Sequence, residues 1–359
     1  MVNKKRNDFT PVIAIPPGET LKENIEYVNM SQTELAERTG LSIKHINEIV
    51  KGKSPITQDT ALKLEYVLGI PASFWNNLEA NYRETSARLK DEEDLKSEFE
   101  IVKEIPYAKM AQFGWVAPSK DKKIKVKNLR NYFGVASLKN LPLVFEGAFR
   151  KADGENVSPY ALAAWLRRGE LLANSIETNS FDKMKLKKMI PIFRKLTLEG
   201  PEEFYPKMVE LCSSCGIALV LVPHLPKTYA CGATQWISSD KAVVQLSVRG
   251  AKADIFWFTF FHEIAHIILH TKKEFHLQES ESNECIEDEA DTQARDWLIP
   301  PEQYKKFIMS HAYTTCTGIT TFAKELEIHP CIVVGRLLHD KKISYCDFDN
   351  LRPSFKIVI

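Results

Sequence analysis

The stretch from Ile255 to Leu269 constrains the fold of this chain most, because it is almost wholly apolar yet interrupted by charged and polar residues. A transmembrane helix needs about 20 mostly apolar residues, and this stretch is shorter. On a helical wheel its polar residues share an arc of about 100°; they are Thr259, His262, Glu263, His266 and His270. Unpaired buried polar groups cost about 1–3 kcal/mol each. The sequence therefore predicts a helix buried on most sides, with one polar stripe that needs a partner.

The stripe contains the pattern His-Glu-Ile-Ala-His at residues 262–266. Two histidines four residues apart point to the same side of a helix and can bind one metal ion, while the glutamate between them can accept a proton from water. We therefore predict Zn²⁺ as the cofactor, with His262 and His266 as ligands and Glu263 as the catalytic base. The alternative is a polar stripe that simply faces solvent.

A third ligand must come from elsewhere, because His270 lies about 12 Å from His262 along the helix axis. The metzincin pattern is excluded, since Lys272 stands where it requires histidine. If the acidic stretch 287–298 is a helix, one small and apolar face is expected to pack inward; it holds Glu287, Ala290, Asp291, Ala294 and Leu298. We predict Glu287 as the third ligand and Asp291 as the acceptor for the other N–H of a ligating histidine. An ordinary charged helix surface is the alternative.

Four segments of the C-terminal part carry a resemblance to a known family. They are Phe256–His266, the pattern Glu287-x-x-Ala-Asp-x-x-Ala-x-x-x-Leu-Ile-Pro, the stretch 231–249 and the closing segment 322–340. These segments resemble the ImmA/IrrE family of bacterial zinc metallopeptidases. The resemblance covers roughly residues 200–345. It implies a zincin-like α+β domain with a small sheet, the same zinc ligands and base, and peptide-bond hydrolysis.

Two features of that reaction stay open. The segment 242–248 is expected to be an edge strand to which an extended peptide could pair. The group that stabilises the tetrahedral intermediate is not identified; the candidates are Tyr229, His329, Arg336 and His339.

The N-terminal part predicts a helix-turn-helix. Ser31 begins a capping box in which it accepts a bond from the amide of Glu34, and Glu34 reaches back. Gly40 allows a sharp turn, and Ser42 caps a second helix of the size that enters the major groove. Side-chain and backbone N–H groups at the start of the preceding helix can hold a phosphate. The candidate DNA contacts are Gln32, Thr33, Ser42, Lys44, His45, Asn47 and Lys51.

Residues 16–80 carry a second resemblance, through Pro17-Gly-Glu-Thr-Leu-Lys-Glu, Ser31-Gln-Thr-Glu-Leu-Ala and Leu68-Gly-Ile-Pro-Ala-Ser-Phe-Trp. They resemble the HigA-type antitoxins among the XRE helix-turn-helix proteins. The resemblance implies binding to double-stranded operator DNA, usually as a homodimer. The alternative is a helical bundle that pairs only with protein, for example a toxin.

Composition fits a multidomain, mainly α protein. The 359 residues carry 48 Lys and Arg against 47 Asp and Glu, so the net charge gives no global indication of nucleic-acid binding. Seven cysteines and the absence of an apolar run behind the basic N-terminus favour a cytoplasmic protein without membrane contact. We predict an all-α helix-turn-helix bundle at 1–85, a helical middle at 86–200, and an α+β peptidase domain with C-terminal helices at 201–359.

The two ends together predict a regulator that binds DNA and cleaves a peptide bond. The expected substrate is a repressor, an antitoxin or its own linker near 86–120. The alternative is a non-catalytic antitoxin or transcription factor whose metal domain is sensory or structural.

Overall fold

The structure is a computed structural model that describes residues 13–151, 157–247, 252–270 and 280–355. The chain divides into two compact units, Met1–Phe99 and Glu100–Ile359. Residues 100–200, which the sequence analysis assigned to a middle region, belong to the same unit as the C-terminal part.

The first unit is all-α. Its helices are α1 (Pro17–Tyr27), α2 (Gln32–Thr39), α3 (Ile43–Val50), α4 (Gln58–Leu68) and α5 (Ala72–Asp94). The N-cap side chains of Ser31, Ser42 and Thr57 accept bonds from backbone amides and start α2, α3 and α4. Gly40 and Gly69 end α2 and α4 with φ of 71° and 69°, a left-handed conformation that glycine adopts without steric cost. One apolar core joins these helices; it includes Leu21, Leu35, Ile46, Leu64 and Trp75.

The second unit begins with a series of helices, the first of which starts at Phe99, the last residue of the first unit. They are α6 (Phe99–Glu104), α7 (Tyr107–Gln112), α8 (Lys122–Phe133), α9 (Leu141–Val144), α10 (Glu146–Lys151), α11 (Pro159–Asn174), α12 (Lys183–Lys195) and α13 (Pro201–Ser214). Three strands and five further helices follow: β1 (Ile217–Leu221), β2 (Gly232–Trp236), β3 (Ala242–Leu246), α14 (Ala253–Leu269), α15 (Ser280–Leu298), α16 (Pro301–Met309), α17 (Cys316–Glu325) and α18 (Pro330–His339).

The three strands form one mixed sheet in the order β1-β3-β2. β1 runs parallel to β3, with Ile217 opposite Ala242, and β2 runs antiparallel to β3, with Thr234 opposite Val244. The expectation that 242–248 contains an edge strand is therefore wrong. β3 is central, and all five of its residues are buried, because a strand covered on both faces has no solvent-facing side to carry polar residues.

The two faces of β3 are covered by different helices. Ala242, Val244 and Leu246 belong to the apolar core that also contains eight residues of α14. On the other face, Gln245 Nε2 donates to the carbonyl of Trp165 in α11 at 2.7 Å. A Cβ at Gly169 would lie 1.8 Å from the Gln245 side chain, so this close approach requires glycine. α11, a helix of the predicted middle region, thus covers the second face of the sheet.

α14 is the central helix of the second unit. Twelve of its residues are buried, among them Phe256, Trp257, Phe260 and Phe261. Burial of each such large side chain contributes about 1.5–3 kcal/mol. Within the ranges given above, none of the helices combines the length and the apolarity that spanning a bilayer requires.

Candidate metal centre and helix-turn-helix surface

Two helices bring the predicted zinc ligands together. α14 supplies His262 and His266, whose Nε2 atoms lie 2.9 Å apart. α15 supplies Glu287, whose Oε2 lies 3.1 Å from His262 Nε2 and 3.6 Å from His266 Nε2. The inward face of α15 forms over Ala290, Ala294 and Leu298, which are buried, but Glu287, which was expected on the same face, is half-exposed at its edge. That packing holds the middle of α15, with Glu287 and Asp291, against the polar stripe of α14.

The spacing of these three atoms fits a zinc ion. Donor atoms 2.0–2.1 Å from a tetrahedral zinc lie about 3.3–3.4 Å from one another. The three measured separations, from 2.9 to 3.6 Å, scatter around that value. Two imidazoles and one carboxylate are also a donor set that zinc proteins use with a fourth position left open.

Asp291 lies where the sequence predicted a supporting acceptor. Its Oδ1 is 2.8 Å from His262 Nδ1. If the proton of the neutral ring is on Nδ1, the lone pair is on Nε2 and points toward Glu287 and His266. A histidine that binds a metal through Nε2 needs this tautomer. Burial disfavours the charged ring, but hydrogen bonds to Asp291 and Glu287 outweigh it and raise the pKa of His262 to about 10. The surrounding carboxylates therefore create a site that strongly favours a cation.

The candidate base Glu263 is buried, and a residue of the β-sheet holds its carboxylate in place. Thr234 Oγ1 in β2 lies 2.8 Å from Glu263 Oε2 and 3.2 Å from the Glu263 carbonyl oxygen. Gly232, two residues earlier on the same face of β2, makes room for this carboxylate, because a Cβ there would lie 2.6 Å from Glu263 Oε1. Neither residue was predicted from the sequence. Their spacing of two residues along β2, which puts them on the same face, is a sequence signal that could have indicated them.

Glu287 differs from the histidines in its exposure. Its side chain is 53% exposed, against 15% for His262 and 8% for His266. The site is therefore open on the side of α15 and closed on the side of the core.

Three of the four candidates for stabilising the intermediate make other contacts. His329 Nδ1 accepts the backbone N–H of Cys331 and caps α18. Arg336 pairs with Asp340 at 2.8 Å, and His339 Nδ1 lies 3.1 Å from the same carboxylate. The fourth, Tyr229, is exposed and has a positive φ of 51°.

In the first unit, the candidate DNA contacts lie at the start of α2 and along α3. Asn47 Nδ2 lies 3.4 Å from Gln32 Oε1, which joins the two helices through their amides. Thr33, Ser42 and Lys44 are exposed, His45 is half-buried, and Lys51 is exposed at the end of α3. Side chains of Lys44, Asn47 and Lys51 line one shallow depression together with Ile43, Glu48 and Lys53.

The electrostatics of this surface differ in one respect from the expectation. Ser31 does accept the amide of Glu34 at 3.1 Å, but the Glu34 carboxylate binds Arg38 at 2.6 Å. An i,i+4 ion pair competes with the return half of a capping box, and here the ion pair forms. Because Arg38 is paired with Glu34, Lys51 and Lys53 have more positive charge available for a DNA contact than Arg38 has.

The comparisons with known proteins concern this first unit. The helix-turn-helix family HTH_3 matches residues 21–75. Virulence-associated protein I of Dichelobacter nodosus is 40% identical over 70 residues, which are 19% of this chain and 65% of that protein. The match thus spans slightly less than two thirds of the relative's length.

Two solved structures are also similar. An addiction module antidote protein of the HigA family from Coxiella burnetii is 32% identical, over 24% of this chain and 94% of that chain, with a TM-score of 0.22. The antitoxin HigA of Pseudomonas aeruginosa, solved with the higBA promoter, is 29% identical, over 24% of this chain and 95% of that chain, with a TM-score of 0.23. By its family match, the segment from residue 21 to residue 75 is a helix-turn-helix domain.

Proposed function

We propose that the chain is a DNA-binding regulator whose second unit is a zinc-dependent peptidase. The observation that carries the enzymatic part is the convergence of His262, His266 and Glu287, with all three ligand atoms within 4.8 Å of one another. The buried carboxylate of Glu263 lies on the same stripe of α14. A purely solvent-facing stripe would not require an acid from a second helix to meet both histidines.

The residues have separate roles in this proposal. His262, His266 and Glu287 would hold Zn²⁺, which when bound polarises a carbonyl and makes water acidic enough to ionise near neutral pH. Glu263 accepts the proton of the attacking water at its carboxylate and returns it to the leaving amine. Thr234 holds that carboxylate through Oε2, and Asp291 keeps the ring of His262 oriented.

The sheet offers a place for an extended peptide. β2 is an edge strand of the sheet, and its residue Thr234 contacts Glu263. A substrate that pairs with the free edge of β2 would lie beside the base, since strand addition uses the backbone groups that an edge leaves available. The proposed substrates are a repressor, an antitoxin or the chain's own segment 86–120.

Comparing the wild type with Glu263→Gln tests the peptidase. Both proteins are loaded with zinc, their metal content is measured, and each is incubated with a candidate repressor and by itself. We expect cleavage by the wild type only. If both bind one zinc per chain and neither cuts, peptidase activity on those substrates is ruled out, and a sensory or structural metal domain is favoured.

The first unit supports binding to operator DNA, and the family match at residues 21–75 is the observation that carries it. α3 would enter the major groove with Lys44, His45, Asn47 and Lys51, while Gln32 and Thr33 at the start of α2 would contact phosphate. Ser42 would act mainly by starting α3. We propose a homodimer on a palindromic site in the cytoplasm.

Footprinting on DNA upstream of the chain's own gene tests this. We expect a protected site with the wild type and its loss in the Lys44→Ala, Asn47→Ala double variant. Protection that is equal in both proteins would show that α3 does not read the DNA. No protection with either, together with binding of a toxin protein, would favour a protein-binding module.

A further inference from the structure

The second unit contains a concentration of positive charge that the neutral total conceals. Residues 101–200 hold 19 Lys and Arg and 9 Asp and Glu, a net charge of +10. The whole chain has a net charge of +1, so the remaining 259 residues are acidic, at −9. Such a local basic excess is the electrostatic property expected of a nucleic-acid contact.

α12 shows how this charge is distributed. Its apolar side chains Leu186, Ile190 and Phe193 are buried. Three of its six cations make internal contacts: Lys185 with the Ser214 carbonyl, Arg194 with the Leu326 carbonyl and Lys195 with Glu327. The other three are exposed, and none of them pairs with a carboxylate in the part of the chain that the structure describes. These are Lys183, Lys187 and Lys188, called here the lysine face.

The positive charges of the lysine face destabilise α12 itself. Lys183 occupies the first position of α12, and the first turn contains no acidic residue beyond the N-cap Asp182, whose carboxylate accepts the Lys185 amide. Positive charge near a helix N-terminus opposes the helix dipole by about 0.3–1 kcal/mol. Lys183 and Lys187 are also like charges at i and i+4, which repel each other. Residues that weaken their own element are expected where they serve a contact outside it.

α8 repeats the arrangement. Its first turn also lacks an acidic residue beyond the N-cap Asp121. Four lysines follow with no acid inside the helix: Lys122, Lys123, Lys125 and Lys127. Two separate helices of one unit thus place lysines at the end where the dipole disfavours them. The excess charge is therefore not a peculiarity of one helix.

We propose that the lysine face of α12 binds the phosphate backbone of duplex DNA. The inference rests on the proposed DNA binding of the helix-turn-helix domain, which raises the local concentration of DNA for any second contact on the same chain. Duplex DNA matches the face because its phosphates supply a regular row of negative charge without requiring a particular sequence. The contact would add affinity and salt dependence but no sequence preference.

Binding of the full chain to a duplex of arbitrary sequence at several salt concentrations tests the proposal. The variant is Lys183→Gln, Lys187→Gln, Lys188→Gln. The matched control is Lys305→Gln, Lys306→Gln, Lys324→Gln, which removes the same charge from exposed lysines of α16 and α17 in the same unit. Unchanged thermal unfolding confirms that both variants are folded.

We expect the slope of log Kobs against log salt to become shallower by about 0.9 for each lysine that contacts phosphate, in the lysine-face variant only. Equal slopes in both variants would overturn the proposal. Equal slopes on DNA together with weaker binding of the lysine-face variant to poly-glutamate would assign the face to an acidic protein instead.

The same measurement separates this inference from the proposed function. If the Lys44→Ala, Asn47→Ala variant loses its preference for the DNA upstream of its gene, and the lysine-face variant keeps that preference but has a shallower slope on arbitrary duplex, both proposals stand. If the wild type shows no preference for that DNA, the operator proposal fails, while the slopes still decide the role of α12.

Discussion

Thr234 illustrates how a single hydroxyl could govern the chemistry of the site. Its Oγ1 has one proton, and Glu263 Oε2 at 2.8 Å is the nearer of its two acceptors. A donor at one carboxylate oxygen fixes the orientation of the other. Thr234 is therefore a positioning residue of the proposed reaction.

We expect Thr234→Val to lower kcat about 10–100-fold, as loss of a supporting hydrogen bond commonly does, with little change in KM. Thr234→Ser, which keeps the hydroxyl, should restore most of the rate. Zinc content, measured in parallel, should be the same in all three proteins. A Val variant with wild-type kcat would remove Thr234 from the mechanism.

His329 makes a pH-dependent contribution to stability. Burial lowers the pKa of its ring in the folded state, and its neutral Nδ1 caps α18. Because the folded pKa lies below the unfolded value of about 6.5, the stabilisation is present above pH 6.5 and is lost as the pH falls through the folded pKa.

The free energy of unfolding of the wild type, from urea titrations, should therefore fall between about pH 7.5 and pH 5. The substitution His329→Asn keeps a capping side chain that does not titrate. We expect a smaller fall over this range in the variant. An identical pH dependence in both proteins would show that His329 titrates alike in the folded and unfolded chain.

At the scale of elements, the close packing of α1 against α3 requires a residue without a side chain at position 18. A Cβ at Gly18 would lie 2.0 Å from the Ile49 carbonyl oxygen and 2.7 Å from Val50 Cα. These are backbone atoms and cannot rotate away. α1 would have to move off the helix that carries the candidate DNA contacts.

We expect Gly18→Ala to destabilise the first unit by about 1–3 kcal/mol, the range for overpacked sites, despite the better helix propensity of alanine. Thermal unfolding of the full chain measures this. Gly147→Ala is the matched control, since a Cβ there has nothing within 4 Å. Equal unfolding temperatures for the two variants would contradict the expected clash.

A second element-scale contact ties the C-terminal segment to the start of α14. Arg352 Nη2 and Asp254 Oδ2 lie 2.8 Å apart, and both side chains are buried, with 6% and 7% exposed. The Ala253 amide also donates to the Pro353 carbonyl. The helix that carries both histidines is thereby fixed at its first turn.

Removing one member of a buried ion pair leaves the other charge unpaired, which costs about 3–5 kcal/mol. We expect this loss for Arg352→Met in chemical denaturation of the second unit. The double variant Asp254→Asn, Arg352→Met should recover part of it, since the buried charge is gone. Equal losses in the single and double variants would show that packing, not the charge, matters.

The elements most accessible from sequence are those defined by local periodicity. The helices of 31–50, the polar stripe of α14 and the inward face of α15 all follow from residues three or four apart. The central position of β3 did not follow, because a five-residue apolar run does not say which strands flank it. Thr234 was missed for a similar reason: it meets Glu263 across 29 residues of sequence. The excess of positive charge in residues 101–200 was not predicted, because it forms no motif.

For the whole molecule, the two units are expected to respond separately to metal. The proposed ligands all lie in the second unit, and the candidate DNA contacts all lie in the first. A ligand that binds only the folded state stabilises it by mass action. Treatment with a chelator should therefore lower the unfolding temperature of the second unit and leave that of the first unchanged.

Differential scanning calorimetry of the full chain, with and without added zinc, measures both transitions. His266→Ala serves as the control, because its second transition should no longer respond to zinc. A response of the first transition alone would show that the stabilising metal binds elsewhere.

The half-exposed carboxylate of Glu287 also bears on how fast the ion would come and go. A ligand at the surface can swing away while the two histidines stay in the core, so a chelator could reach the ion while the unit stays folded. Global unfolding of a stable unit takes seconds to days. Exchange of the ion would then not have to wait for unfolding, and the proposed peptidase could respond to metal supply without any refolding.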